Sequence, residues 1–409
     1  MPAHMTYRTH TTYTYRRRIL YLAFAVALVA ARVSFSETPA AQNQEHGTVK
    51  PSEQNPRKYG VGILGNCCTH GAGLCAMFQQ RPDTRVVAAF ETDPRRAAEL
   101  EQTLGAPLAV SYDAVIAQPE VDFVAVSCDP CDKATMVEKA AAAGKPIYLN
   151  KPFCDSLNSA RRIVAAVEKY KVPLVHDIPM VRFIPVYARL LEEVRGGKYG
   201  RVMGYHHLFG MNFPMDFDLK AVWSERLDPP DVSGGGEMTN MGCYAIDFAV
   251  ALFGRPKAVT AKWRHTWDIY EEAGVENFGQ ILLDYGDFFA FIEAGKQQLE
   301  GEQRHSNHMT VNFEHKTLSI DASAQLVTVN HVPVDYAQFA EGAAAVGSVE
   351  QLLAAIERGV PPTSDAQTGL AATETLMAAY QSIVEERTVT LPLTSGENPL
   401  VRAREERNK

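Results

Sequence analysis

Two stretches of the chain carry side chains able to move a proton. Leu149-Asn150-Lys151-Pro152 ends a short apolar run, expected to be the fifth strand of an alternating region. Much later, Gly234-Gly235-Gly236-Glu237-Met238-Thr239-Asn240-Met241-Gly242-Cys243-Tyr244-Ala245-Ile246-Asp247 leads from glycines into a helical pattern, with Asn240 and Tyr244 four residues apart on one face. Oxidising a carbinol needs a hydride to leave carbon for an acceptor and a proton to leave the hydroxyl for a nearby group. A phenol with an ordinary pKa near ~10 is a poor base at neutral pH. A desolvated ammonium beside it lowers that value, and a shift of roughly two or three units, about 1.4 kcal/mol each, would suffice. Tyr244 is therefore expected to carry the proton with Lys151 as its electrostatic partner. The reverse assignment stays open, because a coupled pair shares its titration. Asn240 offers an amide that can orient a hydroxyl but cannot share a proton.

A hydride needs an acceptor, and Gly62-Ile63-Leu64-Gly65-Asn66-Cys67-Cys68-Thr69-His70-Gly71 sits where a dinucleotide loop belongs, after a strand and opening a helix. Its glycines are imperfect. Counting from Gly65, the usual second glycine is Cys67, and the third falls on His70 unless the loop is one residue longer and Gly71 takes that role. Backbone amides from Thr69 to Gly71 can hold an anion at the helix start. Glu91, twenty residues past Gly71, stands where an acid accepts a ribose 2′-hydroxyl, which favours NAD over NADP; Arg95 and Arg96 keep NADP as the minority case. Cofactor contacts are expected from Gly65, Cys67, Thr69, His70, Gly71, Glu91, Lys151 and Pro152.

The glycine loop, the Lys-Pro step and the glycine-rich segment, in this order from about Tyr59 to Leu393, resemble the glucose-fructose oxidoreductase and inositol dehydrogenase family (Gfo/Idh/MocA). The resemblance implies a Rossmann domain carrying nicotinamide and an open-sheet domain supplying a sugar pocket. It also implies that Lys151 reaches the reacting hydroxyl, with Asn150 replacing the family's Glu. An Asp-x-x-x-His pair touches substrate in that family. Asn240 and Tyr244 hold those positions here, and tyrosine resembles the glucose-fructose oxidoreductase branch, whose members are exported with tightly held cofactor. Arg182, in Val181-Arg182-Phe183-Ile184-Pro185, resembles the family's Arg-Phe-x-Pro segment near the pocket, with His176 and Asp177 just upstream. The substrate is then a sugar, cyclitol or glycoside contacted by Lys151, Arg182, Asn240 and Tyr244. Two rivals remain: cofactor-recycling glycoside cleavage by oxidation and elimination, and a non-catalytic carbohydrate-binding protein that retains nucleotide.

Alternation of apolar strands with helices places a Rossmann domain of α/β class over residues 58–171. Longer, alternating strands follow without intervening helices, so residues 172–394 are expected to form an α+β domain with a mostly antiparallel open sheet, and 395–409 a charged tail. His206 and His207 should point to opposite faces of one strand. Trp223 and Trp263 are candidates for stacking on a sugar ring or for the core. Asp247, one turn past Tyr244, reads as structural.

At 409 residues, 46% hydrophobic and 22% charged, the chain has globular composition. A formal charge of -8 argues against nucleic acid as partner, which needs a concentrated basic face. Arg16, Arg17 and Arg18 precede an apolar run from Ile19 to Ala31, the order of a signal peptide over residues 1–36, with a flexible leader over 37–57. The arginine pair suggests twin-arginine export to the periplasm, which moves folded protein with cofactor aboard. Thirteen apolar residues are short for about 30 Å of hydrocarbon, so an uncleaved membrane anchor is the weaker alternative. The seven cysteines lack a disulfide-scaffold spacing, and Cys128-Asp129-Pro130-Cys131 has no second half to complete a zinc site, so no metal is expected. The open sheet makes a homo-oligomer the expected assembly.

Overall fold

A computed structural model describes residues 58–67, 70–178, 181–217, 227–301 and 303–407. The expected signal peptide and leader lie outside the described residues, as do Thr69 and Trp223. The first lobe runs β1 (Tyr59–Leu64), α1 (His70–Gln80), β2 (Thr84–Phe90), α2 (Pro94–Leu104), α3 (Tyr112–Ile116), β3 (Phe123–Val126), α4 (Lys133–Ala142), β4 (Ile147–Asn150), α5 (Leu157–Tyr170) and β5 (Leu174–Asp177). Its strands form one sheet in the order β2-β1-β3-β4-β5, all pairs parallel. Every residue of β1, β3, β4 and β5 is buried, as in parallel sheets covered on both faces.

Two expectations need correcting. The strand that delivers Lys151 is the fourth of the sheet, and the sheet runs past residue 171. The turn at Lys171-Val172-Pro173 marks only a connection, because Leu174–Asp177 pairs in register with Ile147–Asn150 and so belongs to the first lobe.

The second lobe contains α6 (Pro185–Arg195), β6 (Val202–Phe213), α7 (Pro230–Ser233), α8 (Glu237–Asn240), α9 (Gly242–Phe253), β7 (Ala258–Arg264), α10 (Asp268–Ala273), β8 (Phe278–Asp284), β9 (Phe289–Gln298), β10 (Arg304–Phe313), β11 (Thr317–Asp321), β12 (Leu326–Val329) and β13 (Val332–Val334). It continues with α11 (Tyr336–Ala340), α12 (Ser348–Arg358), α13 (Ala366–Glu385), β14 (Val389–Thr390) and α14 (Pro399–Arg407). Among the described residues the sheet order is β13-β12-β11-β10-β6-β9-β8-β7-β14. Only β6 with β9 is parallel, so the expected mostly antiparallel sheet is present. One face packs on α9 and α13 through Ile246, Phe248, Met377 and Tyr380 against Ile281, Ile292 and Met309. Helix α9 is apolar almost all round, which suits a helix buried on every side. On the sheet, Met203, Leu282 and Phe289 remain exposed.

Late in the chain, α12 returns to the first lobe, where Val349, Leu352 and Leu353 join Val61, Phe123 and Tyr148. The expected charged tail is also corrected, since residues 399–407 form α14 with Leu400 buried. The Asn398 amide just before it donates to Asp155 O at 2.8 Å and Gly234 O at 2.9 Å. Among the described residues no helix is long and apolar enough to cross a membrane.

Candidate active site

Strand β1 lies between β2 and β3, so the chain leaves it in opposite directions at this point of the sheet. In open α/β sheets the crevice beyond the carboxyl ends of such strands is where ligands sit. The loop leaving β1 folds into that crevice tightly. Gly65 has φ +93°, and a side chain there would meet the Cys128 backbone at 2.4 Å. A Cβ on Gly71 would lie 2.0 Å from Gly65 O, so the loop is one residue longer than the usual count and Gly71 takes the third-glycine role. Cys67 N donates to Ser127 O at 2.8 Å, tying this loop to the one after β3. His70 opens α1 and its Nδ1 lies 3.1 Å from Asn150 Nδ2.

Asn66 and Glu91 hold the loop in place. Asn66 Oδ1 accepts from Ala72 N, and its amide nitrogen donates to Arg96 O and Glu99. Glu91 is buried, and its carboxylate accepts from the backbone amides of Asn66, Thr92 and Asp93 and from the Thr92 hydroxyl. Three donors converge on Oε1 and one, Asn66 N, on Oε2, so Glu91 brackets the loop and keeps acceptor capacity on Oε2 alone. Arg96 pairs bidentately with Asp129 at 2.5 and 3.0 Å. Close-approach glycines, the amides of an eleven-residue helix and the sheet crevice together fit a dinucleotide pyrophosphate.

At the chemical end, β4 delivers Lys151, which is 6% exposed. Lys151 Nζ donates to Asn240 Oδ1 at 2.5 Å and to Asn240 O at 3.2 Å, and lies 5.5 Å from the Tyr244 ring centroid. The three residues that sequence reasoning joined across some ninety positions do meet. Pro152, next in the chain, offers its carbonyl to a buried lysine, Lys133, which also donates to Asn150 O. Lys133 thus grips the backbone on both sides of Lys151. Asn240 and Tyr244 stand on two helices, not one: α8 ends at Asn240 and α9 restarts at Gly242.

The phenol departs most from expectation. The Tyr244 ring is buried, stacked on Phe209 at 4.9 Å and 28°. Burial pushes its pKa well above the ordinary value, with Cys243 and Asp177 adding to the rise. Lys151 faces the ring, 5.5 Å from its centroid, and burial favours the neutral phenol.

The glycines ahead of α8 are pressed against protein. A Cβ on Gly235 would meet Tyr380 Oη at 2.1 Å, and one on Gly236 would meet Glu276 O at 2.0 Å. Glu276 fixes the start of α8, accepting from Gly236 N and Met238 N, and burial raises its pKa to about 7.

Arg182 is buried, 3.4 Å from Asp247 and donating to Thr363 O at 3.0 Å, while its Nη1 has no hydrogen-bond partner among the described residues. His176 stands 3.8 Å from the same Asp247, and burial lowers its pKa. Asp177 bonds Ser348, with its pKa raised to about 6 by burial. His207 is buried against Asn307 while His206 meets Glu293, on opposite faces as their alternation requires. Trp263 is partly buried against the second-lobe core. Cys128 and Cys131 are free thiols, and burial raises both, Cys131 to about 12.

Sequence reasoning missed Lys133, Glu237 and Lys296. One signal was available for Lys296: period-two alternation through Ala290, Ile292 and Ala294 puts it on the buried face of β9. A lysine there needs a buried acid, and Glu237, one helical turn before Asn240, supplies it at 2.8 Å.

These features define a nicotinamide-dependent oxidoreductase with a Rossmann lobe and an open-sheet lobe. Residues 60–177 match the oxidoreductase family with NAD-binding Rossmann fold, and residues 187–319 match the GFO/IDH/MocA C-terminal domain. The chain belongs to the Gfo/Idh/MocA family. It is 27% identical over 328 residues to the D-xylose 1-dehydrogenase (NADP(+)) 2 of Haloferax volcanii, covering 78% of this chain and 96% of that one. It is 23% identical to the inositol 2-dehydrogenase of Rhizobium meliloti, covering 76% and 92%. Among solved structures, GenD2 from gentamicin A biosynthesis, in complex with NAD, shares the fold with a TM-score of 0.66 at 20% identity, covering 85% of this chain and all of that one.

Proposed function

We propose that this protein oxidises or reduces a secondary alcohol of a sugar, cyclitol or glycoside, with Lys151 as the group that meets the reacting oxygen. One observation carries the reading: Lys151 Nζ, at the carboxyl end of β4, is held by Asn240 beside the Tyr244 ring. The relatives named for xylose and inositol support a polyol substrate. When bound, nicotinamide supplies the hydride acceptor or donor. Lys151 holds or moves the hydroxyl proton at Nζ, which reverses the roles expected from sequence. Tyr244, kept neutral by burial, contributes a wall and a phenol that can donate but not abstract. Asn240 fixes the direction of the ammonium.

NAD is the proposed nucleotide, tightly held. Arg96 is committed to Asp129, so it is not a free cation for a 2′-phosphate. Export with the nucleotide aboard, by the Arg16-Arg17 signal, is part of the same proposal.

The test starts by denaturing purified protein and identifying released nucleotide by mass spectrometry. A sugar and polyol panel, followed at 340 nm, then compares wild type with Lys151→Ala. A loss of about 10²- to 10⁴-fold in kcat, with nucleotide still bound, is expected. Undiminished turnover in the variant would end this assignment.

A further inference from the structure

Behind Lys151 runs a line of polar side chains, from the half-buried Asn240 to the buried Glu237 and Lys296. Asn240 Oδ1 accepts from Lys151 Nζ at 2.5 Å, and Asn240 Nδ2 donates to Glu237 Oε2 at 2.9 Å. The other oxygen of Glu237, Oε1, accepts from Lys296 Nζ at 2.8 Å and from Tyr270 Oη at 2.8 Å. The side chains of Glu237 and Lys296 are 4% and 3% exposed. The line has a direction. An ammonium only donates and a carboxylate only accepts, so the amide between them must turn its oxygen to Lys151 and its nitrogen to Glu237.

A carboxylate at position 240 would face Glu237 across 2.9 Å with like charge. Asparagine at 240 and glutamate at 237 therefore belong together. The acid that the family resemblance leads one to expect at 240 is present three residues earlier, and the amide transmits its effect.

We propose that Glu237 is a positioning residue: anchored by Lys296 and Tyr270, it orients the Asn240 amide so that its oxygen holds the Lys151 ammonium where the substrate hydroxyl arrives. This rests on the reading of Lys151 as the group that meets that hydroxyl. Glu237 touches neither substrate nor nucleotide in this scheme and acts only through Asn240.

The test is an exchange of polarity in the full chain. In Glu237→Gln, the Lys296 ammonium can only donate, so the new amide keeps its oxygen toward Lys296 and Tyr270 and turns its nitrogen toward Asn240. The Asn240 amide must then flip, presenting its nitrogen to the Lys151 ammonium, donor against donor. Adding Asn240→Asp restores an acceptor: the introduced carboxylate takes a hydrogen bond from the new amide and another from Lys151.

Two readouts are followed. One is the rate at which Lys151 is acetylated by an amine-reactive ester, read by mass spectrometry without any sugar; the other is kcat on a sugar from the panel. For Glu237→Gln, labelling about ten-fold faster and kcat roughly ten- to hundred-fold lower are expected, with both returning to within about three-fold of wild type in the double variant. A double variant no better than the single one would overturn the proposal, as would unchanged labelling in Glu237→Gln. Should Glu237→Gln fail to fold, Asn240→Asp alone is compared with the double variant by labelling and thermal melting. There the second exchange must improve both, and failure to do so counts against the relay. If labelling follows the expected order but no sugar is turned over by any form, the relay stands and the alcohol-oxidation reading falls.

Discussion

The nucleotide loop and the chemical end are built in opposite ways. The loop is held by backbone: glycines pressed on carbonyls, amides bracketed by Glu91, and an amide-to-carbonyl bond from Cys67 to Ser127. The chemical end is held by side chains arranged in two layers, with Lys151 and Asn240 in front and Lys133, Glu237 and Lys296 behind. A device of close-packed glycines tolerates almost no added volume, and the one charge it uses, the Glu91 carboxylate, is spent on backbone amides. A side-chain relay tolerates volume better and depends on which group carries which proton.

The sharpest way to break the comparison is Gly71→Ala. Its methyl carbon would fall 2.0 Å from Gly65 O, so the loop must open. Overpacking of this kind costs roughly 1–3 kcal/mol, and it falls where nucleotide must approach. Protein purified without bound nucleotide and at least about a hundred-fold weaker NAD binding by calorimetry are expected. Acetylation of Lys151 should proceed at the rate of wild type stripped of its nucleotide. A variant that kept its nucleotide would show that the loop is not volume-limited.

How much of this was legible in sequence divides along the same line. Local patterns were: in α2, Pro94–Leu104, Asp93 caps a proline-started helix and Gly105 ends it, signals visible in the residues themselves. The Lys-Pro step locates the site at a strand end, and the Asn240 to Tyr244 spacing does so beside a turn whose glycines, Gly234 to Gly236, are visible. Burial was not legible. Spacing places Tyr244 beside Lys151, and only its packing against Phe209 shows the burial that favours the neutral phenol. Glu91 was placed correctly at the end of β2, but strand position alone does not say that backbone amides already occupy its oxygens. Arg182 was drawn toward the pocket by a motif, while its partner Asp247 lies sixty-five residues later and sets its direction. The boundary at 171 failed because strand pairing, not composition, decides which sheet Leu174–Asp177 joins.

A second variant sharpens the contrast from the chemical side. Lys133 is buried at the start of α4 and donates to the carbonyls of Asn150 and Pro152, so Lys133→Met leaves those two acceptors without their shared donor. Each unpaired buried group costs about 1–3 kcal/mol, part of which will appear as a lower Tm. Lys151 loses its backbone grip without any change in its own side chain. A kcat lowered about ten-fold, with NAD affinity moved less than about three-fold, is the expected split. Equal losses in both would mean that the two ends are one mechanical unit, and the distinction between them would not survive.

The smallest effect is a slope. Glu276 anchors the first turn of α8 through Gly236 N and Met238 N, and burial raises its carboxyl to about 7. The folded protein therefore binds this proton more tightly than the unfolded chain, whose glutamates titrate near ~4.3. The group's stabilising contribution is full below that value and is lost as pH rises through 7. Glu276→Gln carries no such proton, so the stability difference between the two forms should drift in the variant's favour from pH 4.5 to 7.5, by at most about 3 kcal/mol. His207, lowered to about 4 by burial, tilts stability the other way as pH falls through the same range. That tilt is common to both proteins and cancels in the difference. NAD affinity over the same window should follow the same course in both forms, because Glu276 makes no contact with the loop that holds the pyrophosphate and the titratable groups of that loop, Glu91 and His70, are unchanged in the variant. Tm measured against pH for both forms, with NAD binding alongside, decides the matter: a difference that does not drift would remove Glu276 as the protonated anchor of α8, and a nucleotide affinity whose course differs between the two forms would couple the two ends after all.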